Sequence, residues 1–239
     1  LELLLERRQR QRVLVVVPAR GGSKGIPLKN IAMLYGKPLI AHTAELINRL
    51  DFVDYAMVST DSPSIANISG QYGLAVPFMR PDVLSGDLVS DWHVLHHVLT
   101  KMECTAVTYD IIVMLQPTCP LRRVWHVESA VKRLLQGFDS VWTVTKVDKK
   151  YHPKKSLRIF SDGTLGNYVE AGKFIVARQQ LGDTYIRNGA CYAFTRECLL
   201  VQKPILGKKS AAVVIDEPLV NIDTPEDLAE AERLMGGRP

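Results

Sequence analysis

The chain has no apolar run of the roughly 18–20 residues that a membrane-crossing helix takes, so no membrane span is expected. Leu1–Leu5 is too short for the core of a signal peptide, and Arg7, Arg8, Arg10 and Arg12 follow it where they should precede it. Cysteine is sparse: Cys104, Cys119, Cys191 and Cys198 form no C-x-x-C pair and no zinc spacing. That excludes a disulfide scaffold and leaves reduced thiols in a cytoplasmic protein as the simplest expectation. The six histidines make no metal pattern. His96 and His97 read as surface or packing residues of a helix, and only His152, ahead of Pro153, lies in a segment of interest. There is no internal repeat. Neither G-x-x-x-x-G-K-[ST] nor G-x-G-x-x-G occurs, which argues against a P-loop NTPase and a dinucleotide-binding turn.

What is there begins with Val13–Asn30, VLVVVPARGGSKGIPLKN. Val13–Val17 is a run of apolar β-formers, a buried strand that stops at Pro18. The loop behind it carries Gly21, Gly22 and Gly25 together with Arg20, Lys24 and Lys29. Glycines let successive backbone N–H groups turn toward one point, and such a turn is an anion-binding concavity. Arginine and lysine add full charge. The segment reads as a polyphosphate cradle.

At 239 residues the chain suits one large α/β domain, with Leu1–Arg12 as a charged extension and 13–239 as the domain proper. Strands and helices alternate: helix Pro38–Leu50, strand Val53–Thr60, helix Asp61–Tyr72, a strand-like Leu74–Phe78, helix Leu88–Glu103, strand Ile111–Gln116, helix Val124–Gln136 and strand Ser140–Val147. Near-continuous apolar strands in this alternation predict a Rossmann-like, mostly parallel sheet with helices on both faces. The rhythm breaks over 148–187, which is polar and Gly-punctuated. It resumes with strands Ala190–Thr195 and Ala211–Ile215, and a final helix is capped by Thr224 with Pro225 at its first position. Between Lys146 and Arg187 nine Lys/Arg face four Asp/Glu, a net +5 that equals the formal charge of the whole chain. No aromatic–basic interleaving accompanies it. An anionic small substrate fits better than nucleic acid. A structureless loop of this length inside a compact domain is unusual, so the excursion is expected to pack on something else, such as a second subunit.

Further segments carry polar residues at strand ends: VSTD (Val58–Asp61), RPDVLSGDLVSD (Arg80–Asp91), QPTCPLR (Gln116–Arg122), YHPKKSL (Tyr151–Leu157), VARQQL (Val176–Leu181), RNGACY (Arg187–Tyr192) and VNIDTPEDL (Val220–Leu228). Taken singly, each has a plain reading. Asp61 and Asp87 cap helices, with Ser90 as another cap, and Arg80 is a loop cation. QPTCPLR is a proline-fixed turn. The Lys/Arg of 151–181 are solvated. Asn188–Gly189 is a tight turn needing positive φ, and Asp223 merely precedes the Thr224 cap. Asn221 and Asp223, two apart on a strand, share a face and form a candidate metal site. Nothing around Cys119 would make it a nucleophile.

Together and in this order, these motifs resemble the acylneuraminate cytidylyltransferases, the CMP-sialic acid synthetases, over nearly the whole chain. That resemblance implies a nucleotidyltransferase of the nucleotide-diphospho-sugar type. It would join CTP to an acidic nine-carbon (nonulosonic) sugar, giving the CMP-sugar and pyrophosphate. Arg20, Lys24, Lys29 and Asp223 would carry catalysis. Arg20, Gly21, Ser23, Lys24, Asn30, Arg80, Ser90 and Asp91 would bind the nucleotide. Gln116, Thr118 and Asn188 would meet the sugar, joined by Lys155, Arg178 and Gln179 from a dimerisation arm at about 148–187 that crosses into a homodimer partner. Mg²⁺ would sit on Asp223 and Asn221. The family usually has two aspartates in the last motif, and Asn221 departs from that; Cys119 stands where serine is usual. Two alternatives stay open. One is a related acid sugar (legionaminic, pseudaminic) or another nucleotide, with the Gly-rich loop arguing against a 3-deoxy-octulosonic acid. The other is a non-catalytic nucleotide-binding homologue.

Overall fold

The computed structural model describes residues 11–105, 107–203 and 205–237. Most of the charged N-terminal extension therefore lies outside the described residues. The strands are β1 (Val13–Pro18), β2 (Met33–Leu34), β3 (Lys37–Pro38), β4 (Tyr55–Ser59), β5 (Ile111–Met114), β6 (Ser140–Lys146), β7 (Leu157–Ile159), β8 (Leu165–Asn167), β9 (Tyr185–Thr195) and β10 (Ser210–Val214). The helices are α1 (Leu39–Ile47), α2 (Pro63–Gln71), α3 (Asp91–Glu103), α4 (Val124–Leu134) and α5 (Pro225–Gly236).

Six strands form one sheet in the order β10-β6-β9-β5-β1-β4. β1 lies between β4 and β5 and runs parallel to both. β9 runs antiparallel to β5, so the sheet is mixed. β4 and β5 arrive through helical crossovers, as parallel pairing requires, whereas β9 follows the excursion without a crossover α-helix. The unbroken apolar run of β1 exists because both faces of the sheet are covered. Val13, Val15 and Val17 pack with Ile40, Ala44, Val127 and Val131 of α1 and α4. Leu14 and Val16, pointing the other way, pack with Leu95, Val98 and Leu99 of α3 and with Phe194.

Several boundaries differ from the sequence reading. α1 stops at Ile47 because Arg49 and Leu50 N–H turn to the carbonyls three residues back, which tightens the last turn. Leu74–Phe78 contributes a single parallel bridge, Ala75 to Met57, rather than a strand. α3 starts at Asp91, three residues later than expected, because Asp82–Leu84 forms its own short turn and 85–90 is loop. α5 starts as read: the Thr224 hydroxyl accepts from Asp227 N–H at 3.3 Å, and the Asp227 carboxylate accepts from Thr224 N–H at 2.9 Å.

The chain divides into two compact units. The larger comprises the chain to Thr143, Asn188–Val213 and the segment from Glu217. The smaller comprises Val144–Arg187 and Val214–Asp216. Within the smaller, β7 and β8 form an antiparallel hairpin, and the rest is short 3₁₀ turns. Gly172 lies so close to Lys154 that a Cβ there would fall 2.2 Å from its carbonyl oxygen.

Candidate active site

The loop after β1 is built by groups far from it in sequence. Asp61, at the end of β4, accepts the Gly21 N–H at 2.9 Å. Asp61 is therefore not the cap of α2; Ser62 holds that position, its hydroxyl accepting from Ile65 N–H at 3.4 Å. Asn30 is buried and donates its amide to the Arg20 carbonyl at 3.0 Å. Leu28, with φ +49, turns the backbone into the Lys29–Ile31 turn. Gly25 passes directly over the chain near α5, where a Cβ would fall 2.2 Å from the Asp223 carbonyl oxygen. No side chain fits there, and this contact carries Lys29 to Asp223.

The loop borders a cleft of about 300 Å³ at the C-terminal ends of β1, β4 and β5, where open parallel sheets bind ligands. Arg20, Ser23, Lys24, Lys29 and Asn30 line one side. Arg80 and Asp91 line the second, and Gln116, Thr118, Asn221 and Asp223 the third. Eleven of the predicted site residues thus share one cleft. Gly21 spends its N–H on Asp61, and Ser90 faces His93, Oγ to Nδ1 at 2.8 Å.

In the cleft the cradle cations are matched by carboxylates. Arg20 meets Asp87 at 2.8 Å, and Lys24 pairs with the other oxygen of the same carboxylate. The Lys24 hydrogen bond, seconded by Arg20, holds the Asp87 carboxyl below the usual carboxylate range. Asp87 is thus the counter-ion of the cradle and not a helix cap. Lys29 meets Asp223 at 2.6 Å. Arg80 is buried, with Nε donating to Ser59 Oγ at 3.0 Å and Nη2 to Ser59 O at 2.5 Å. Burial lowers its pKa to about 10, opposed mainly by the charge of Asp61. It remains a cation at neutral pH.

The third side is held by Arg122, which sequence reasoning passed over as the end of a motif. Its guanidinium is buried and donates to the carbonyls of Gln116 (2.5 Å), Ala190 and Gly189 (3.4 Å), and to Thr43 Oγ1 (3.4 Å). One side chain thereby fixes the QPTCPLR loop against β9. Burial pulls its pKa down. Asn188 lies within the sheet: its Oδ1 accepts from Thr143 Oγ1 at 2.7 Å and from Ala190 N–H at 3.2 Å. Gly189 does have positive φ, +73°, but inside β9 rather than in a tight turn; a Cβ there would lie 3.2 Å from Asn221 Oδ1 and 3.3 Å from Gln116 Oε1. Cys119 is buried, and so is Cys191, whose thiol burial pushes up to about 12. Neither is placed for nucleophilic work.

No cluster of three His, Cys, Asp or Glu suited to a metal occurs among the described residues. What the cleft offers is the Asp223 carboxylate, 66% exposed, and the Asn221 carbonyl oxygen, which accepts from Thr118 Oγ1 at 2.6 Å. One carboxylate and one amide oxygen fit Mg²⁺ if phosphate and water supply the remaining ligands, as they commonly do for this ion.

In the smaller unit, Lys155 and Arg178 line a cavity of about 300 Å³ together with Asn167 and Val176. Arg178 also lies 3.8 Å from Asp148. Gln179 belongs to the Arg178–Gln180 turn.

The cytidylyltransferase family model matches residues 14–238. The chain is 32% identical to the CMP-N,N'-diacetyllegionaminic acid synthase of Legionella pneumophila, covering 94% of this chain and 96% of that one. It is 30% identical to the pseudaminic acid cytidylyltransferase of Campylobacter jejuni (92% and 95%). It is 30% identical to the N-acylneuraminate cytidylyltransferase of Escherichia coli, of which it spans about half the length (91% and 51%). Among solved structures, the CMP:2-keto-3-deoxy-manno-octonic acid synthetase complexed with CTP superposes with a TM-score of 0.69 over 94% of this chain and 98% of its own, at 20% identity, which speaks to the fold. A strand-end cation cradle in a sheet of this order, matched across 14–238, places the molecule: the chain belongs to the cytidylyltransferase family.

Proposed function

We propose that this enzyme activates an acidic nonulosonic sugar with CTP, giving the CMP-sugar and pyrophosphate. The observation that carries the reading is the convergence of Arg20, Lys24 and Lys29 with Gln116 and Thr118 in one cleft at the ends of parallel strands. Relatives that match nearly end to end bear the names CMP-N,N'-diacetyllegionaminic acid synthase and pseudaminic acid cytidylyltransferase.

The sugar's anomeric hydroxyl attacks the α-phosphorus in line. An O–P bond forms, the bond to the β-phosphate oxygen breaks, and the hydroxyl proton leaves to solvent or base. Charge grows on the α-phosphate and on the departing pyrophosphate, so catalysis here is positioning and electrostatics. Arg20, Lys24 and Lys29 hold the triphosphate, with Ser23 and Asn30 beside them. Arg80 and Asp91 would face the base, with Ser90 just ahead of Asp91 at the start of α3. Gln116 and Thr118 orient the sugar, with Asn188 behind them. Asp223, assisted by the amide oxygen of Asn221, would hold Mg²⁺, which would supply positive charge against the phosphates and lower the pKa of the attacking hydroxyl.

The smaller unit exposes Ile159, Phe174 and Val176, an apolar surface that suits a second copy of the chain. In the resulting homodimer, Lys155, Arg178 and Gln179 would reach the sugar in the partner's cleft. Light scattering that finds a monomer would end this part of the reading. Four free thiols fit a reducing compartment, the cytoplasm.

The test is a pyrophosphate-release screen of CTP and GTP against N-acetylneuraminic, legionaminic and pseudaminic acids. Release is expected with CTP and at least one of these acids. CTP binding without release for any acid would make the chain a nucleotide-binding homologue instead.

A further inference from the structure

We infer that Asp87 is a built-in stand-in for the triphosphate, a carboxylate that holds the phosphate-binding cations while the cleft is empty and must be displaced for the nucleotide to bind. This rests on the reading of Arg20 and Lys24 as phosphate ligands.

Three observations carry it. First, Asp87 spends both carboxylate oxygens on the cradle, one on Arg20 Nη1 at 2.8 Å and the other on Lys24 Nζ. A bidentate anion bridging two cations is the arrangement a phosphate would adopt there. Second, Asp87 lines the cleft, so its carboxylate and an incoming phosphate compete for the same space as well as the same partners. Third, little else holds the segment that bears it. Hydrogen bonds of 81–89 close on themselves, from Leu84 to Pro81, Ser85 to Asp82 and Val89 to Gly86. Val83 is 82% exposed and Leu88 wholly exposed. Among the described residues, the polar ties from 85–88 to the rest of the chain are the two Asp87 ion pairs and the contact from Arg20 Nη1 to Ser85 O at 3.5 Å. The same cations that would grip the nucleotide thus also fix this loop, and the loop loses its anchor when they change partner.

The physical consequence is a cleft that is close to charge-balanced when empty, with Lys29 likewise set against Asp223. Unpaired cations in a cleft would capture any phosphate in the cell and would retain pyrophosphate after turnover. An internal carboxylate at the same site lowers affinity for every anion by a similar factor. Anions held by the cations alone then bind too weakly to occupy the cleft, while a ligand that adds base and ribose contacts still fills it, and the carboxylate returns to the cations as pyrophosphate departs.

The test measures binding of inorganic pyrophosphate and of CTP by calorimetry to wild type, Asp87→Asn, Lys24→Ala and the double variant. Asp87→Asn should bind pyrophosphate about 3- to 10-fold more tightly than wild type, the range expected for releasing two partly exposed ion pairs. The gain should shrink in the Lys24→Ala background, because half of the pairing is already gone. Pyrophosphate inhibition of turnover should strengthen in parallel. Unchanged or weaker pyrophosphate binding in Asp87→Asn, with wild type still binding, would overturn the inference while leaving the cradle intact. An equal gain with and without Lys24 would overturn it as well, since the effect would then be a diffuse change of charge. Wild type that binds neither pyrophosphate nor CTP would instead refute the reading of the cradle. Circular dichroism of each variant confirms the fold, which an exposed-loop substitution should leave unaltered.

Discussion

Two lysines line the cleft where the triphosphate is proposed to bind, and their surroundings predict unequal importance. Lys29 is only 14% exposed, is seated by the Leu28 turn, and points at Asp223. Lys24 is 82% exposed on the outer rim of the loop. A charge–phosphate contact gains strength as water is excluded, because the effective dielectric falls and the donor is already in place when charge develops. Replacing Lys29 by methionine keeps the stem that fills the wall and removes the charge. The loss should resemble that of a preorganised donor, about 100- to 1,000-fold in kcat/KM, or roughly 3–4 kcal/mol. Most of it should fall on kcat, since the contact strengthens as the pyrophosphate leaves. Lys24→Ala should cost about 5- to 10-fold, mainly in KM, as expected for a solvent-screened contact. Steady-state pyrophosphate release with CTP varied at saturating sugar measures both. Wild-type kcat/KM in Lys29→Met, or a Lys24→Ala that is worse than Lys29→Met, would refute the argument that burial ranks the cradle.

Other expectations follow from the same contacts. Gly25→Ala forces a Cβ against the Asp223 carbonyl oxygen; it should cost about 1–3 kcal/mol of stability and most activity, seen as a lower Tm and slower release. Arg122→Met strips the donor from the Gln116, Gly189 and Ala190 carbonyls in a buried site; a loss of about 2–5 kcal/mol in denaturant unfolding is expected, with a raised KM for the sugar. Asn221→Asp should lower the Mg²⁺ concentration for half-maximal rate, and Asp223→Asn should abolish activity, both read from a Mg²⁺ titration; an unchanged half-point together with an active Asp223→Asn would place the metal elsewhere.

Much of the frame was legible because its causes are local or periodic. Val13–Val17 announces a strand covered on both faces by its lack of alternation, and the structure covers both faces with α1, α4 and α3. Thr224-Pro225 with Asp227 is a complete helix start within a few residues. What was not legible depends on partners far along the chain. Asp61 and Asp87 sit just ahead of helices and look like caps, yet each is drawn to the Gly-rich loop, Asp61 by the Gly21 N–H and Asp87 by Arg20 and Lys24. No spacing rule reports such a pairing. Arg122 is similar: as sequence it closes a motif, and only the packing of β9 against the Gln116 loop makes its guanidinium the clamp. Gly189 was correctly read for its positive φ, but its reason is the approach of Asn221 and Gln116 rather than a turn. Leu74–Phe78 has strand composition and yet forms one bridge, from Ala75 to the edge of β4 that faces away from β1.

The central claim is that a sugar hydroxyl displaces pyrophosphate from the α-phosphorus of CTP in this cleft. It is tested most directly by following CTP with each nonulosonic acid by phosphorus NMR and mass spectrometry. The account predicts that one acid yields pyrophosphate and, in equal amount, a phosphodiester joining CMP to the sugar's anomeric oxygen. Pyrophosphate appearing with free CMP and unchanged sugar, or intact CTP with every acid, would contradict it.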